Sequence, residues 1–215
     1  MTSSPAAVVV LISGRGTNLQ AILDQTAAHQ LPIEIRAVIS NNPNALGLER
    51  ARNARLPTHI VDHRAFASRA DFDSALMQVT DNYRPQLVIL AGFMRILGKE
   101  FIRHYQGRLI NIHPSLLPEF PGLNTHARAL RSGAVRHGAS VHFVTDVVDR
   151  GPVILQAVVP VKPGDTVQTL AERVLKEEHR IYPLAIRWLA EGRVKLHDGR
   201  IFLDGKYQAE PIREN

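Results

Sequence analysis

The 215-residue chain has no cysteine, which excludes a disulfide framework, thiolate metal ligands and cysteine nucleophiles. That absence fits a reducing compartment. Aromatic residues are sparse, at 6% with a single tryptophan, and none is interleaved with a basic run as in a nucleic-acid-binding sheet. Long apolar stretches are missing too. The longest, Ala6–Ile12 and Leu87–Met94, are seven and eight residues, against ~20 for a membrane-spanning helix. No basic residue precedes Ala6–Ile12, so no secretory leader is expected. The reading is of a cytoplasmic protein without a membrane partner.

With 45% apolar and 21% charged residues, the composition is that of an ordinary globular chain. Its length suits one domain, 1–215. The charge sum is 26 − 20 = +6, and 21 of the 26 cations are arginine. Arginine's planar fork matches phosphate and carboxylate, so the excess implies either anionic ligands or a generally basic surface. The arginines are scattered along the whole chain, and nucleic acid is not expected as a partner.

The first 160 residues alternate β-branched runs with helix-like segments. Strands are expected at Ala7–Ile12, Ile33–Ile39, Thr58–Val61 and Gln86–Ala91, and helices at Asn18–His29, Ala45–Ala54 and Ser68–Tyr83. Ser68 and Asp71 have capping-box spacing, with Asp in place of the usual Glu or Gln. Strands separated by helices imply βαβ units and a mainly parallel sheet. After Arg108 the pattern changes. A strand Leu109–Ile112 runs into a loop with prolines at 114, 118 and 121, followed by a helix Thr125–Arg131. Ser140–Thr145 and Pro152–Val159 look like an antiparallel pair, Thr166–Leu189 like a long helix capped by Thr166, and Asp198-Gly199 like a hairpin turn.

Three stretches could carry chemistry. In Ser13–Asn18, Gly14 and Gly16 allow a tight turn into a helix whose N-terminus favours an anion. Leu19 stands where a dinucleotide fingerprint needs its third glycine, and no Gly-Lys-Ser/Thr follows, so a single phosphate fits best. The same sequence would also serve as a plain connecting turn. In Leu109–Gly122, Asn111 and His113 alternate with buried residues and so share one face at the carboxyl end of a strand. In Ser140–Pro152, Asp149 is either a turn former or a carboxylate that favours a cationic His113. Metal ligation finds no support: none of His104, His113, His126, His137 and His142 makes an i, i+4 pair on one helix, and no His-Glu-x-x-His or calcium loop occurs. Ser115 lacks a nucleophile elbow.

Taken as a set, SGRGTNLQAI, SNNPNALGLERAR, LAGFMRIL, GRLINIHPSLLPEFPGLNTHARAL, HGASVHFV, DRGPVILQ and EEHRIYPLAI resemble the folate-dependent phosphoribosylglycinamide formyltransferases. The likeness runs from about Val8 to Leu196. It implies a single α/β Rossmann-like domain with a mainly parallel twisted sheet and a short C-terminal β ribbon. Residues 1–108 would form a phosphate-binding half and 109–215 a catalytic and folate half. It further implies formyl transfer from 10-formyltetrahydrofolate as co-substrate, with no metal. Asn111, His113 and Asp149 would be catalytic. Gly16, Thr17, Asn18 and Glu178 would bind the phosphoribosylglycinamide, and Arg69, Met94, Arg95, Ile96, Leu97 and Asn111 would face the folate. Arg15 departs from the neutral polar residue that such enzymes can carry. It either adds a cation beside the phosphate or points to solvent. The partners implied are small molecules, and the protein would be a monomer or homodimer. Formyltetrahydrofolate hydrolysis by the same trio is the alternative. It is disfavoured because only about six residues precede the first strand where a regulatory domain would stand. Methionyl-tRNA formylation would need a further domain beyond Asn215.

Overall fold

The computed structural model describes residues 4–214. It comprises two compact units divided between Asn111 and Ile112, inside a strand.

In the first unit, β1 (Ala6–Ile12), α1 (Thr17–Ala27), β2 (Ile33–Ser40), α2 (Gly47–Asn53), β3 (Thr58–Ile60), α3 (Arg69–Asp81), β4 (Leu87–Leu90), α4 (Lys99–His104) and β5 (Leu109–His113) follow one another. The strands lie in the order β5-β4-β1-β2-β3, and each pairing is parallel. Strands covered on both faces read as unbroken apolar runs rather than alternating ones, and Val8–Ile12 of β1 are fully buried. The chain leaves β1 toward β2 and β3 on one side, and later fills the other side with β4 and β5. Strand order therefore reverses between β1 and β4. Ligands of open α/β sheets bind at such a point, beyond the carboxyl ends of the strands. The loops that follow β1 and β4 flank it.

The expected cap of α3 forms with one difference. The Ser68 hydroxyl accepts the Asp71 N–H at 3.1 Å and donates to the Asp71 carboxylate at 2.7 Å. The carboxylate thus takes the serine's own proton, the nearest donor to its short side chain.

The second unit contains α5 (Thr125–Arg131), β6 (Arg136–Phe143), β7 (Val153–Pro160) and α6 (Val167–Ala190). A ribbon of β8 (Val194–His197), β9 (Arg200–Leu203) and β10 (Lys206–Gln208) follows, and β11 (Ile212–Glu214) returns to pair in parallel with β7. β6 and β7 are antiparallel, as expected. α6 packs on both through Leu170, Val174, Ile181, Ala185 and Ile186, spaced at helical periods along one face. Asp198 and Gly199 both take positive φ, 48° and 72°, which gives the tight β8–β9 turn its twist.

β6 begins at Arg136 and ends at Phe143, not Ser140–Thr145. Gly138 explains the early start: a Cβ there would lie 1.9 Å from the Ala157 carbonyl oxygen, so the strand admits only glycine at that crossing. α4, β10 and β11 have no counterpart in the expected elements. Among the described residues, no helix is long and apolar enough to cross a membrane.

Candidate active site

In the first unit, the loop between β1 and α1 lines a cavity of about 620 Å³. Gly16 caps α1 at φ 70°, and a Cβ on it would stand 2.6 Å from the Cα of Gly47. The two glycines thus let the loop rest directly on the start of α2. That support is fastened by Gly47 N–H donating to the Gly14 carbonyl at 3.0 Å and Arg50 Nε donating to the Arg15 carbonyl at 2.9 Å. Among the described residues no side chain caps the N-terminus of α1, and the helix end lines the cavity. Thr17 and Asn18 line it beside Arg15, whose side chain is exposed.

Asn41, Asn42, His63, Arg64, Met94 and Arg95 also line it. Ser13 connects its parts. Its hydroxyl donates to Asn41 Oδ1 at 2.5 Å and accepts the Met94 N–H at 2.7 Å, so the loop after β4 is tied to the loop after β1. Asn41 Nδ2 lies 3.2 Å from His63 Nδ1, which is also 3.0 Å from the Asn41 carbonyl. Of the residues assigned to the folate, Met94 and Ile96 are exposed apolar side chains, at 71% and 61%, whereas Leu97 is buried. Arg69 opens α3 and is exposed. Asn111, in the middle of β5, pairs across the ladder with Leu90 at the carboxyl end of β4, and is half-buried.

In the second unit, His113 Nδ1 lies 3.4 Å from Asp149 Oδ2, and His113 Nε2 lies 3.0 Å from the Phe120 carbonyl oxygen. Both ring nitrogens thus face oxygens. His113 is only 6% exposed. The proline loop meets the ring through the Phe120 carbonyl. Asp149 stands in the left-handed region at φ 53°, and its Oδ2 accepts the Gly122 N–H at 2.8 Å. On its other side His142 Nε2 approaches Oδ1 at 3.7 Å. Burial works against a charge on His142, opposed by the Phe143 carbonyl and the Asp149 carboxylate.

Two further histidines adjoin this cluster. His126 Nδ1 and His137 Nε2 are 3.2 Å apart. Burial pushes His137 down to about 4, helped by the nearby charges of His126 and His113. His126 is lowered by burial and by His113. The Ser115 hydroxyl is buried and donates to the Glu119 carbonyl at 2.6 Å, a structural bond. Glu178 is buried on α6, and its charge adds to the burial that holds the Tyr182 hydroxyl far above its ordinary range.

Gly16, Thr17, Asn18, Arg69, Met94–Leu97 and Asn111 thus belong to the first unit, and His113, Asp149 and Glu178 to the second. Within their units, the loop between β1 and α1 meets Met94 and Arg95 around one cavity, and His113 meets Asp149. The roles of Ser13, Asn41, His63, Arg64 and His142 are new from the structure. The signals in the sequence are that Ser13 and His142 fall in the stretches Ser13–Asn18 and Ser140–Pro152, and that Asn41 and Asn42 directly follow an apolar strand, where ligands of such sheets bind.

Residues 6–186 match the model of the formyl transferase family. The chain is 54% identical over 199 residues to phosphoribosylglycinamide formyltransferase of Escherichia coli K12, covering 93% of this chain and 94% of that one. It is 47% identical over 197 residues to the human trifunctional purine biosynthetic protein adenosine-3, covering 91% of this chain and 20% of the longer protein. A solved structure of phosphoribosylglycinamide formyltransferase from Coxiella burnetii, in complex with CHES, superposes with a TM-score of 0.94. It is 54% identical, and the match covers 98% of this chain and 100% of that one.

Proposed function

Because the chain belongs to the formyl transferase family, we infer that it transfers the formyl group of 10-formyltetrahydrofolate to the amine of 5-phosphoribosylglycinamide. The products are formylglycinamide ribonucleotide and tetrahydrofolate, and the step serves de novo purine biosynthesis. The observation that carries this reading is the His113–Asp149 pair, 3.4 Å apart, at the end of the strand that also holds Asn111.

The chemistry starts from an amine resembling an α-amino group, whose reference pKa is ~7.7–8.0, so a useful fraction is neutral at pH 7. Its nitrogen attacks the formyl carbon, the carbonyl becomes an oxyanion, and the tetrahedral intermediate collapses as the bond to N10 breaks. One proton leaves the attacking nitrogen and one reaches N10. Asn111 donates its amide N–H to the oxyanion. His113, with Asp149 balancing its charge, adds electrostatic stabilisation and carries the proton between the nitrogens, exchanging the Phe120 carbonyl for the reacting groups. Two substrates held in line reduce the entropic cost of the encounter.

Gly16, Thr17 and Asn18 take the ribonucleotide phosphate in this reading. The uncapped helix end and the exposed cation of Arg15 beside them support it. Glu178 is assigned to the ribose side. Arg69 and Met94–Leu97 face the folate, supported by the exposed Met94 and Ile96 side chains. Mixing the protein with 10-formyltetrahydrofolate, with and without phosphoribosylglycinamide, and following folate absorbance tests the assignment. Change that depends on the acceptor supports transfer. Equal change without it means hydrolysis by the same trio, and silence in both refutes the enzyme.

A further inference from the structure

We propose that Asp73 is a positioning residue for the formyl donor, its buried carboxylate anchoring the far end of the loop after β4 next to Arg69. The proposal rests on the reading above that Arg69 and Met94–Leu97 face the folate.

A carboxylate in a helix interior is costly to bury, and Asp73 is only 6% exposed, between the buried Phe72 and Leu76 of α3. Its Oδ2 accepts the Gly98 N–H at 2.7 Å. Its Oδ1 is buried without a hydrogen-bond partner among the described residues. An apolar side chain would serve packing at this position with less penalty, so the carboxylate calls for another explanation. Three partners oppose the burial that raises its pKa: the Gly98 amide and the charges of Arg69 and Arg95. Both arginines were assigned to the folate from the sequence. Gly98 rests against this group closely enough that a Cβ on it would lie 2.6 Å from Asp73 Oδ2 and 3.9 Å from Arg69 Nε.

The near end of the same loop is fixed by the Ser13 hydroxyl on the Met94 N–H. Met94–Leu97 is thus strung between two side-chain anchors, and within it Met94 and Ile96 are held out to solvent. A short loop fixed at both ends, presenting apolar side chains next to cations, suits a ligand with a flat apolar body and an acidic tail. 10-Formyltetrahydrofolate has that form. Ser13 belongs to the phosphate loop, whereas Asp73 touches only the donor's side, so its loss acts on one substrate.

The test is steady-state kinetics on the full chain with Asp73→Ala and Asp73→Asn. In Asp73→Ala the KM for 10-formyltetrahydrofolate is expected to rise about tenfold, the size of a lost hydrogen bond to a charged group. kcat and the KM for phosphoribosylglycinamide stay within about twofold. Asp73→Asn keeps an oxygen for the Gly98 N–H but loses the charge, and is expected to raise the donor KM about threefold. Should the alanine variant fail to fold, the asparagine variant decides. An unmoved donor KM in an active protein, or a parallel rise in both KM values, overturns the positioning role alone. A wild-type protein without acceptor-dependent transfer overturns the functional reading, and this inference falls with it.

Discussion

Lowering the pH is expected to weaken the second unit through its buried imidazoles before its carboxylates are protonated. His137 is the sharpest case. It is 1% exposed, faces His126 at 3.2 Å and feels His113, and these hold its pKa at about 4 instead of 6.5. In the unfolded chain the same ring takes a proton near pH 6.5. Between the two values the unfolded state binds more protons than the folded one, so stability falls as the pH drops through that window. The contribution is fully present above pH 6.5, is gone near pH 4, and changes no further below it. At about 1.4 kcal/mol per pKa unit, the whole effect is up to about 3 kcal/mol, of which about 2 is lost between pH 7 and pH 5. That is a large share of a domain's typical ~5–15 kcal/mol. Burial lowers His126 and His142 as well, so the wild-type protein loses more than this one residue accounts for.

The measurement is urea unfolding at pH 7 and pH 5 for the wild type and His137→Gln. Glutamine is neutral at both pH values and keeps a polar atom within reach of His126. Packing differences between the proteins are present at both pH values and cancel when each is compared with itself. The wild type is expected to lose about 2 kcal/mol more than the variant over this interval. Equal losses in the two proteins would refute the assignment of the acid sensitivity to His137.

The sequence makes some of this architecture plain and hides the rest for identifiable reasons. β1 and β4 announce themselves because a strand covered on both faces has no polar alternation to blur it. α3 and α6 are marked by Ser68 and Thr166, and the β8–β9 turn by Asp198-Gly199, each a local device with a local signal. α4 has Gly98 at its N-cap and no capping side chain, so nothing in the sequence points to its start. β11 pairs with β7 through main-chain register, and its Ile-Arg-Glu carries no strand pattern. Asn111 and His113 are readable because strand alternation puts them on one face. The bond from Ser13 to Asn41 spans 28 residues and that from Met94 to Ser13 spans 81. No periodicity encodes such pairings. The same holds for His142 against Asp149, since a mid-strand histidine looks like core until the loop folds back on it.

Asn111→Ala is expected to lower kcat about 10²–10³-fold while leaving the fold intact, the usual cost of one oxyanion donor; near-normal turnover would remove it from the mechanism. Asp149→Asn removes the carboxylate charge 3.4 Å from His113 Nδ1 and is expected to lower kcat about 10²-fold, and unchanged turnover would uncouple the two residues. Arg15→Asn is expected to raise mainly the KM for the phosphorylated substrate, by a fewfold as befits an exposed cation, and an unchanged KM would leave Arg15 a surface residue. Gly16→Ala tests the proposed phosphate site itself. The new methyl meets the Gly47 Cα at 2.6 Å while the backbone stays at φ 70°, so both sterics and dihedral oppose it. Strain of this kind costs about 1–3 kcal/mol, which the loop relieves by lifting away from α2 and carrying the amides of Thr17 and Asn18 with it. The KM for phosphoribosylglycinamide is then expected to rise at least about tenfold if those amides hold its phosphate, as proposed. A variant that is destabilised yet binds this substrate normally would show that the glycine turn serves only to join β1 to α1.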